Sequence, residues 1–427
     1  MWWEKNWLAR LQTARKHCCY TLRSMQKLNA DFFRGNRERL KAALPADLPI
    51  MITANGLQQR GADSPHPFAQ DANFWYLTGI DEPDVTLVMD GAREFLIVPL
   101  REGVRATFDG AVDLKKLTNQ SGVKEIVNQA VGWKRLDELL GKTGRVATVA
   151  AAPAYIEEYG LYANPSRQRL QERLKQHLPE LELQDVRLEL ARLRMIKQPA
   201  EIRALQKAID ITSASLKAAF KQKYTHEYQL EAKIAEGFRS RGAKGHSFEP
   251  IVAGGQNACT LHYLANQAKL LPGQLIICDV GAEYNHYAAD ITRTISQSKP
   301  TQRQKDVYQA VQRVQQEAMK LLKPGVKLKT YENKVATIMA GELKQLGLIK
   351  RGSDVRKYFP HATSHFLGLN VHDVGDYQQP LQVGNVLTVE PGIYIPEEGI
   401  GVRLEDNVLI TEDGAKNLSA KLPQELW

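Results

Sequence analysis

The sequence predicts two domains of different class, an α/β domain followed by an α+β domain. Three observations carry this. The chain has 427 residues, enough for two or three domains of ~100–200 residues each. From Met25 to about Gln184, strand-like and helix-like segments alternate, as in an α/β layer structure. Beyond Leu183–Lys197 the texture changes to long amphipathic helices and pairs of apolar runs around short turns, which read as hairpins. The expected division is an extension at 1–24, an N-terminal domain at 25–184 and a C-terminal domain at 185–427.

In the first domain, strands are expected at Pro49–Ala54, Phe74–Thr78, Val85–Met89, Glu94–Pro99 and Arg145–Ala150. Helices are expected at Ala30–Leu44, Val123–Val131, Trp133–Leu140 and Pro165–His177. In the second, Pro199 sits where proline opens a helix, and helices are expected over Pro199–Gln222 and His226–Arg241. A strand pair follows, then helices at Thr301–Leu322 and Thr330–Leu346, and a second strand pair.

Composition excludes several classes. Apolar residues make up 43% and charged residues 25%, as in folded globular chains, which rules out a mostly disordered or collagen-like protein. No window approaches ~18 consecutive apolar residues, so no transmembrane helix is expected. Four cysteines without a C-x-x-C pair suggest a reducing compartment, and a cytoplasmic protein is expected. The net charge is +9, but residues 1–24 hold five bases against Glu4, which is +4 of it and leaves +5 for the other 403 residues. So mild an excess argues against a nucleic-acid partner. Residues 1–24 lack the apolar core of a secretory signal. They read as a disordered extension or as sequence upstream of a start at Met25. Being Arg-rich and acid-poor, they leave mitochondrial targeting as the alternative.

The chemistry gathers in the two hairpins. The first, Leu275–Ile295, carries Asp279 and Asp290. A turn near Tyr284 and Asn285 sets these two acids opposite one another. The second, Val386–Leu409, turns at Pro396–Gly399 and sets Glu390 opposite Glu405. Like charges facing across a strand pair are destabilising. Buried carboxylates cannot both stay ionised without a counter-charge. Each pair therefore holds either a shared proton or a cation, and four converging acids would need two divalent ions.

Histidines add to this. His361, His365 and His372 fall within twelve residues of an otherwise apolar segment. The segment is not H-E-x-x-H, and Pro360 and Gly368 leave little room for a helix. His262, between Leu261 and Tyr263, reads as structural when taken alone. No G-x-S-x-G occurs, so Ser364 beside His365 is weak evidence for a serine hydrolase. Gly141, Lys142 and Thr143 lack the upstream glycine of a phosphate loop.

The stretches D-V-G-A-E-Y, Y-A-A-D-I-T-R-T, S-H-F-L-G-L-N-V-H-D-V-G, T-V-E-P-G-I-Y and G-V-R-L-E-D-N resemble the Xaa-Pro aminopeptidase (aminopeptidase P) and prolidase group of pita-bread metallopeptidases. N-F-W-Y-L-T-G-I-D-E-P, from Asn73, resembles the group's N-terminal domain. The resemblance implies a creatinase/aminopeptidase P-like α/β domain followed by a pita-bread catalytic domain. It implies metal ligation by Asp279, Asp290, His365, Glu390 and Glu405, with Asp290 and Glu405 bridging two divalent ions. These are most often manganese, with cobalt or zinc possible. Glu390 is implied as general base. His262, His361 and His372 are implied as residues that hold the substrate and steady the tetrahedral intermediate. Arg403 and Tyr394 are implied behind the ligands. The implied activity is release of the first residue from peptides with proline second, by a homo-oligomer, dimer or tetramer. A prolidase restricted to Xaa-Pro dipeptides is the alternative, and a non-catalytic pita-bread binding protein a further one. Ala362 departs from the family's usual glycine. Phe248 replaces a tyrosine of some members, and Arg101–Asp113 lacks a tryptophan found in several.

Overall fold

The computed structural model describes residues 28–91, 93–150, 156 and 159–425. The extension expected at 1–24 lies outside them. The chain divides after Leu193 into two compact units.

The first unit is built on a six-stranded mixed sheet. In chain order it contains α1 (Ala30–Ala42), β1 (Ile50–Thr53), α2 (Ala72–Thr78), β2 (Thr86–Asp90), β3 (Arg93–Val98), α3 (Gly103–Asp109) and α4 (Leu114–Ser121). Then follow β4 (Glu125–Asn128), α5 (Gln129–Thr143), β5 (Arg145–Thr148), α6 (Ser166–His177) and β6 (Glu182–Asp185). The strand order is β4-β3-β2-β1-β5-β6. Met51, Val88, Phe95 and Ile97 of the sheet pack with Leu136 and Leu140 of α5 and Leu170 and Leu174 of α6.

Two expectations fail here. Phe74–Thr78 is helix α2, not a strand. Asp71 caps it by accepting from the amides of Asn73 and Phe74, and Gly79 ends it at φ 68°. Every residue from Phe74 to Thr78 is buried, and a short apolar run buried all round has no periodicity to separate helix from strand. Most of Val123–Val131 is not helical either, and only Gln129–Val131 belongs to a helix, as the start of α5. Glu125–Asn128 pairs in parallel with β3, and Asn128 then caps α5 by accepting from Val131 N–H.

The second unit follows from α7 (Arg187–Met195), which spans the division. It contains α8 (Pro199–Ala219), α9 (Glu227–Ser240), β7 (Gly245–His246), β8 (Ile251–Gly254), β9 (Leu275–Val280), β10 (Ala282–Tyr284), β11 (Tyr287–Ala288) and β12 (Ile291–Ser296). Next come α10 (Gln302–Leu321), α11 (Leu328–Gln345), β13 (Val386–Val389), β14 (Gly392–Ile395), β15 (Ile400–Arg403), β16 (Asp406–Thr411) and β17 (Gly414–Asn417). Pro199 opens α8, and Gln198 and Glu201 form a reciprocal cap. The strands form small sheets ordered β12-β9-β8, β13-β16-β17, β11-β10-β7 and β14-β15. Val307, Val311 and Val314 of α10 and Tyr331, Val335 and Met339 of α11 pack against Val389, Ile393, Val402, Leu404 and Val408. The helices thus back the second hairpin with apolar side chains.

The second hairpin has the expected register. Val389 pairs with Asp406 and Gly392 with Arg403, so Glu390 and Glu405 fall opposite one another where the ladder is interrupted. The first hairpin differs by two residues. Its turn is at Asn285 and His286, both at positive φ (49° and 65°), and Tyr284 pairs with Tyr287. Two central residues at positive φ suit the right-handed twist of a hairpin. Asp279 therefore faces Thr292, not Asp290, and Asp290 falls opposite Gly281. A shift of two preserves the face, so both acids still point the same way as diagonal neighbours.

Gly281 faces Asp290 because nothing larger fits. A Cβ there would lie 1.7 Å from the Ala289 carbonyl oxygen and 2.5 Å from Ser247 Oγ. Gly281→Ala is expected to destabilise the protein by about 3 kcal/mol through forced backbone movement, measured as a shift in urea midpoint. An unchanged midpoint would contradict this close approach.

Candidate metal centre

Each acid sits at a strand end or a break in a ladder. Asp279 is near the end of β9, Asp290 just precedes β12, Glu390 just follows β13, and Glu405 lies between β15 and β16. Pro391 follows Glu390 and has no N–H to continue a ladder. Gln315 of α10 closes that break by donating from Nε2 to the carbonyls of Val389 and Leu404, at 3.1 Å each. His365 lies on an irregular segment whose Phe366 bridges to Leu387.

Four of the five expected ligands are in direct reach of one another, and Asp279 adds its charge to them. Asp290, His365 and Glu405 each offer an atom within 4.8 Å of the others. His365 Nε2 is 3.5 Å from Asp290 Oδ2 and 3.3 Å from Glu390 Oε1. His365 Nδ1 faces the Phe366 carbonyl at 3.0 Å, which places its proton on Nδ1 and turns Nε2 toward the acids. Arg403 Nη2 donates to Asp279 Oδ2 at 2.6 Å, and Thr292 Oγ1 donates to Glu405 Oε2 at 2.7 Å. Thr388 Oγ1 lies 3.2 Å from Glu390 Oε1.

The other oxygens decide what the site can hold. Asp279 Oδ1, Asp290 Oδ1 and Glu405 Oε1 are buried without a hydrogen-bond partner. Three such acceptors beside one another are costly, unless a cation completes them. Four carboxylates and one imidazole suit a divalent ion of hard or borderline character. The residues present fit such ions.

The electrostatics agree. Burial, then repulsion from Asp279, pushes Asp290 up to about 7. Burial, then repulsion from Asp290 and Glu390, raises Glu405 well above the carboxylate range. Burial also opposes ionisation of Glu390, but its hydrogen bond to His365 and the attraction of that ring outweigh it and hold Glu390 down to about 2.

The remaining expected residues surround this centre. Tyr394 OH is 2.9 Å from His361 Nε2 and accepts from Arg403 Nη1 at 2.9 Å. This links His361 through Tyr394 and Arg403 to Asp279. His361 Nδ1 is 3.9 Å from Glu390. His372 stands edge-on to His365 with ring centroids 4.3 Å apart. Partial desolvation, then the charge of His365, depresses its pKa to about 4. His262 is exposed and close enough to His372 to disfavour its protonation.

Several supporting residues carry no signal in the sequence. Glu332 of α11 accepts from the amides of Thr363 and Ser364 at 2.9 and 3.1 Å, which clamps the segment between His361 and His365. Asp373, next to His372, is buried in ion pairs with Arg194 and Lys197. Asn407 exchanges hydrogen bonds with the Asp290 backbone. Single polar residues in apolar runs look like surface positions in sequence. Only the fold shows that they are buried.

The N-terminal unit matches the model of the aminopeptidase P N-terminal domain over residues 33–147, and the C-terminal unit matches metallopeptidase family M24 over 203–412. The Xaa-Pro aminopeptidase of Haemophilus influenzae is 34% identical, with 94% of this chain and 97% of that one covered. Xaa-Pro aminopeptidase 3 of Homo sapiens is 33% identical, covering 89% of this chain and 80% of that one. Among solved structures, Escherichia coli aminopeptidase P with the inhibitor Pro-Leu superposes with TM-score 0.83 at 31% identity, covering 93% of this chain and 97% of that chain. Proline aminopeptidase P II from Yersinia pestis gives TM-score 0.82 at 30% identity, covering 93% and 97%. The fold is therefore an aminopeptidase P N-terminal domain with a pita-bread metallopeptidase domain. The chain belongs to metallopeptidase family M24, in its Xaa-Pro aminopeptidase group.

A prediction concerns the metal-free form. With its pKa raised to about 7, Asp290 holds a proton in the folded chain where the unfolded chain has lost it, above ~4. Its contribution to stability is present below that value and disappears as pH rises through about 7. In chelator-stripped protein, Asp290→Asn is expected to gain melting temperature relative to the parent as pH rises from about 5 to 8. A difference that stays flat with pH would contradict the crowded-acid picture.

Proposed function

We propose that the chain is a Xaa-Pro aminopeptidase, a dinuclear metal hydrolase that releases the N-terminal residue from peptides with proline second. The observation that carries this reading is the close group of Asp290, His365 and Glu405, with Glu390 3.3 Å from His365, beside three bare, buried carboxylate oxygens. Asp279, Asp290, His365, Glu390 and Glu405 would hold the ions, with manganese the favoured metal. When bound, two such ions make water a nucleophile at neutral pH and polarise the scissile carbonyl.

The chain's own residues account for the rest. Glu390 is held ionised, so at neutral pH it can accept a proton from water and pass it to the leaving nitrogen. Arg403 and Thr292 fix one oxygen each of Asp279 and Glu405 and leave the other free toward the ions. Burial keeps His361 largely neutral at pH 7, and Tyr394 orients its ring. His262, His361 and His372 are assigned to the substrate, whose Xaa-Pro bond is a tertiary amide without an N–H. A homo-oligomer, dimer or tetramer, is part of this reading. Among the described residues no helix is long and apolar enough to cross a membrane. The free thiols of Cys259 and Cys278 support a cytoplasmic location.

The test is hydrolysis of an Xaa-Pro-Yaa tripeptide beside the matching Xaa-Pro dipeptide, by chelator-stripped protein with and without manganese. Manganese-dependent release of the first residue from the tripeptide is expected. Cleavage of the dipeptide alone would make the enzyme a prolidase, and inactivity on both would overturn the assignment. Glu390→Gln is expected to lower kcat by roughly 10²–10⁴-fold, the usual share of a proton-transfer group. A loss confined to KM would remove Glu390 from that role.

A further inference from the structure

Glu227 opens α9 and is fully buried, yet its side chain is held by neutral donors. Oε1 accepts from Gly254 N–H at 2.9 Å and Asn257 Nδ2 at 3.0 Å. Oε2 accepts from the Tyr263 hydroxyl and from Ala268 N–H, both at 2.8 Å. All four donors belong to the end of β8 and the segment that runs from it to β9. Gly254 and Asn257 lie on its outgoing limb, Tyr263 and Ala268 on its returning limb, and His262 lies between them. The backbone adds a fifth tie, from Glu227 N–H to the Ala268 carbonyl at 3.0 Å.

The residue type matters. An ionised carboxylate is acceptor-only, with room for about four hydrogen bonds. A glutamine in its place would aim at least one N–H donor at Gly254 N–H, Asn257 Nδ2 or Ala268 N–H, which cannot accept. Burying a charge without a cation is unfavourable, so the carboxylate is explained by the four donors it gathers.

The rest of the loop is fixed around this point. Asn266, at φ 47°, accepts from Val252 N–H and donates to the Pro250 carbonyl, which ties the returning limb to β8. The outgoing limb packs on β15, where a Cβ at Gly401 would meet the Ala258 carbonyl oxygen at 2.3 Å. Gly401 is two residues from Arg403. The loop is thus held against β8, α9 and β15, while His262 at its tip stays exposed beside His372.

We propose that Glu227 is a positioning residue for the proline-peptidase reaction, setting the height and direction of His262 over the metal centre by gathering both limbs of its loop. The proposal rests on the aminopeptidase reading above. Glu227 acts through His262 and touches neither substrate nor metal.

The test compares the parent, Glu227→Gln, His262→Ala and the double variant, all loaded with manganese. Amide hydrogen exchange is expected to quicken in Glu227→Gln over residues 254–268 and to stay unchanged around Asp290 and Glu405. On an Xaa-Pro-Yaa tripeptide, kcat/KM is expected to fall about tenfold in the parent background and less than about twofold on top of His262→Ala, the signature of coupled residues. Metal content is expected to equal the parent's. Equal losses in both backgrounds, lowered metal content, or unchanged exchange over 254–268 would overturn the proposal. So would full activity of His262→Ala, which leaves the peptidase assignment standing. If the parent itself is inactive, that assignment fails and the exchange measurement alone decides whether Glu227 sets the loop.

Discussion

Mutual repulsion of buried carboxylates is the constraint on which this catalytic unit depends. Asp279, Asp290, Glu390 and Glu405 lie close enough to repel one another, and three of their oxygens have no hydrogen-bond partner. Two unit charges about 4 Å apart repel by roughly 4 kcal/mol at the effective dielectric of a protein. A typical cross-strand pair contributes only ~0.2–1 kcal/mol. The hairpins cannot outweigh that repulsion strand by strand, so protons or cations must. Asp290 and Glu405 are driven toward the protonated form, and divalent ions would replace those protons.

The surrounding structure keeps the acids close despite the repulsion. Valines of α10 and apolar residues of α11 back the second hairpin. Gln315 spans the break where Glu390 and Glu405 face each other. Arg403 reaches Asp279 and Tyr394, and through Tyr394 His361, so one guanidinium orients Asp279 and His361 together. Glu332 and the Arg194–Lys197–Asp373 cluster anchor the segment that carries His361, His365 and His372. Of these supports only Arg403 bonds one of the acids directly; the others fix the backbone and neighbours around them.

Much of this was legible in the sequence, and the exceptions have physical causes. The four acids stood out because they interrupt apolar strands, and side-chain alternation kept them on one face even where the register was misjudged. The two-residue shift in the first hairpin arose because the turn uses Asn285 and His286 at positive φ. Histidine is a less obvious choice there than the preceding residues. Phe74–Thr78 read as a strand because it is buried on every side. The caps that define it, Asp71 and Gly79, lie outside the apolar run. Thr292, Gln315, Glu332 and Glu227 were invisible because their roles exist only across long sequence separations. Neither composition nor spacing distinguishes a buried polar clamp from a surface residue.

The central claim is that the crowded acids are a dinuclear metal site. The most direct measurement is metal stoichiometry, by elemental analysis of chelator-stripped protein equilibrated with manganese and freed of excess ion. The account predicts saturable binding of about two ions per chain, the number a two-metal hydrolase requires. Binding of fewer than about 0.1 ion per chain at saturation, in protein that remains folded, would contradict it, because the acids would then be balanced by protons, Arg403 and His365 without metal.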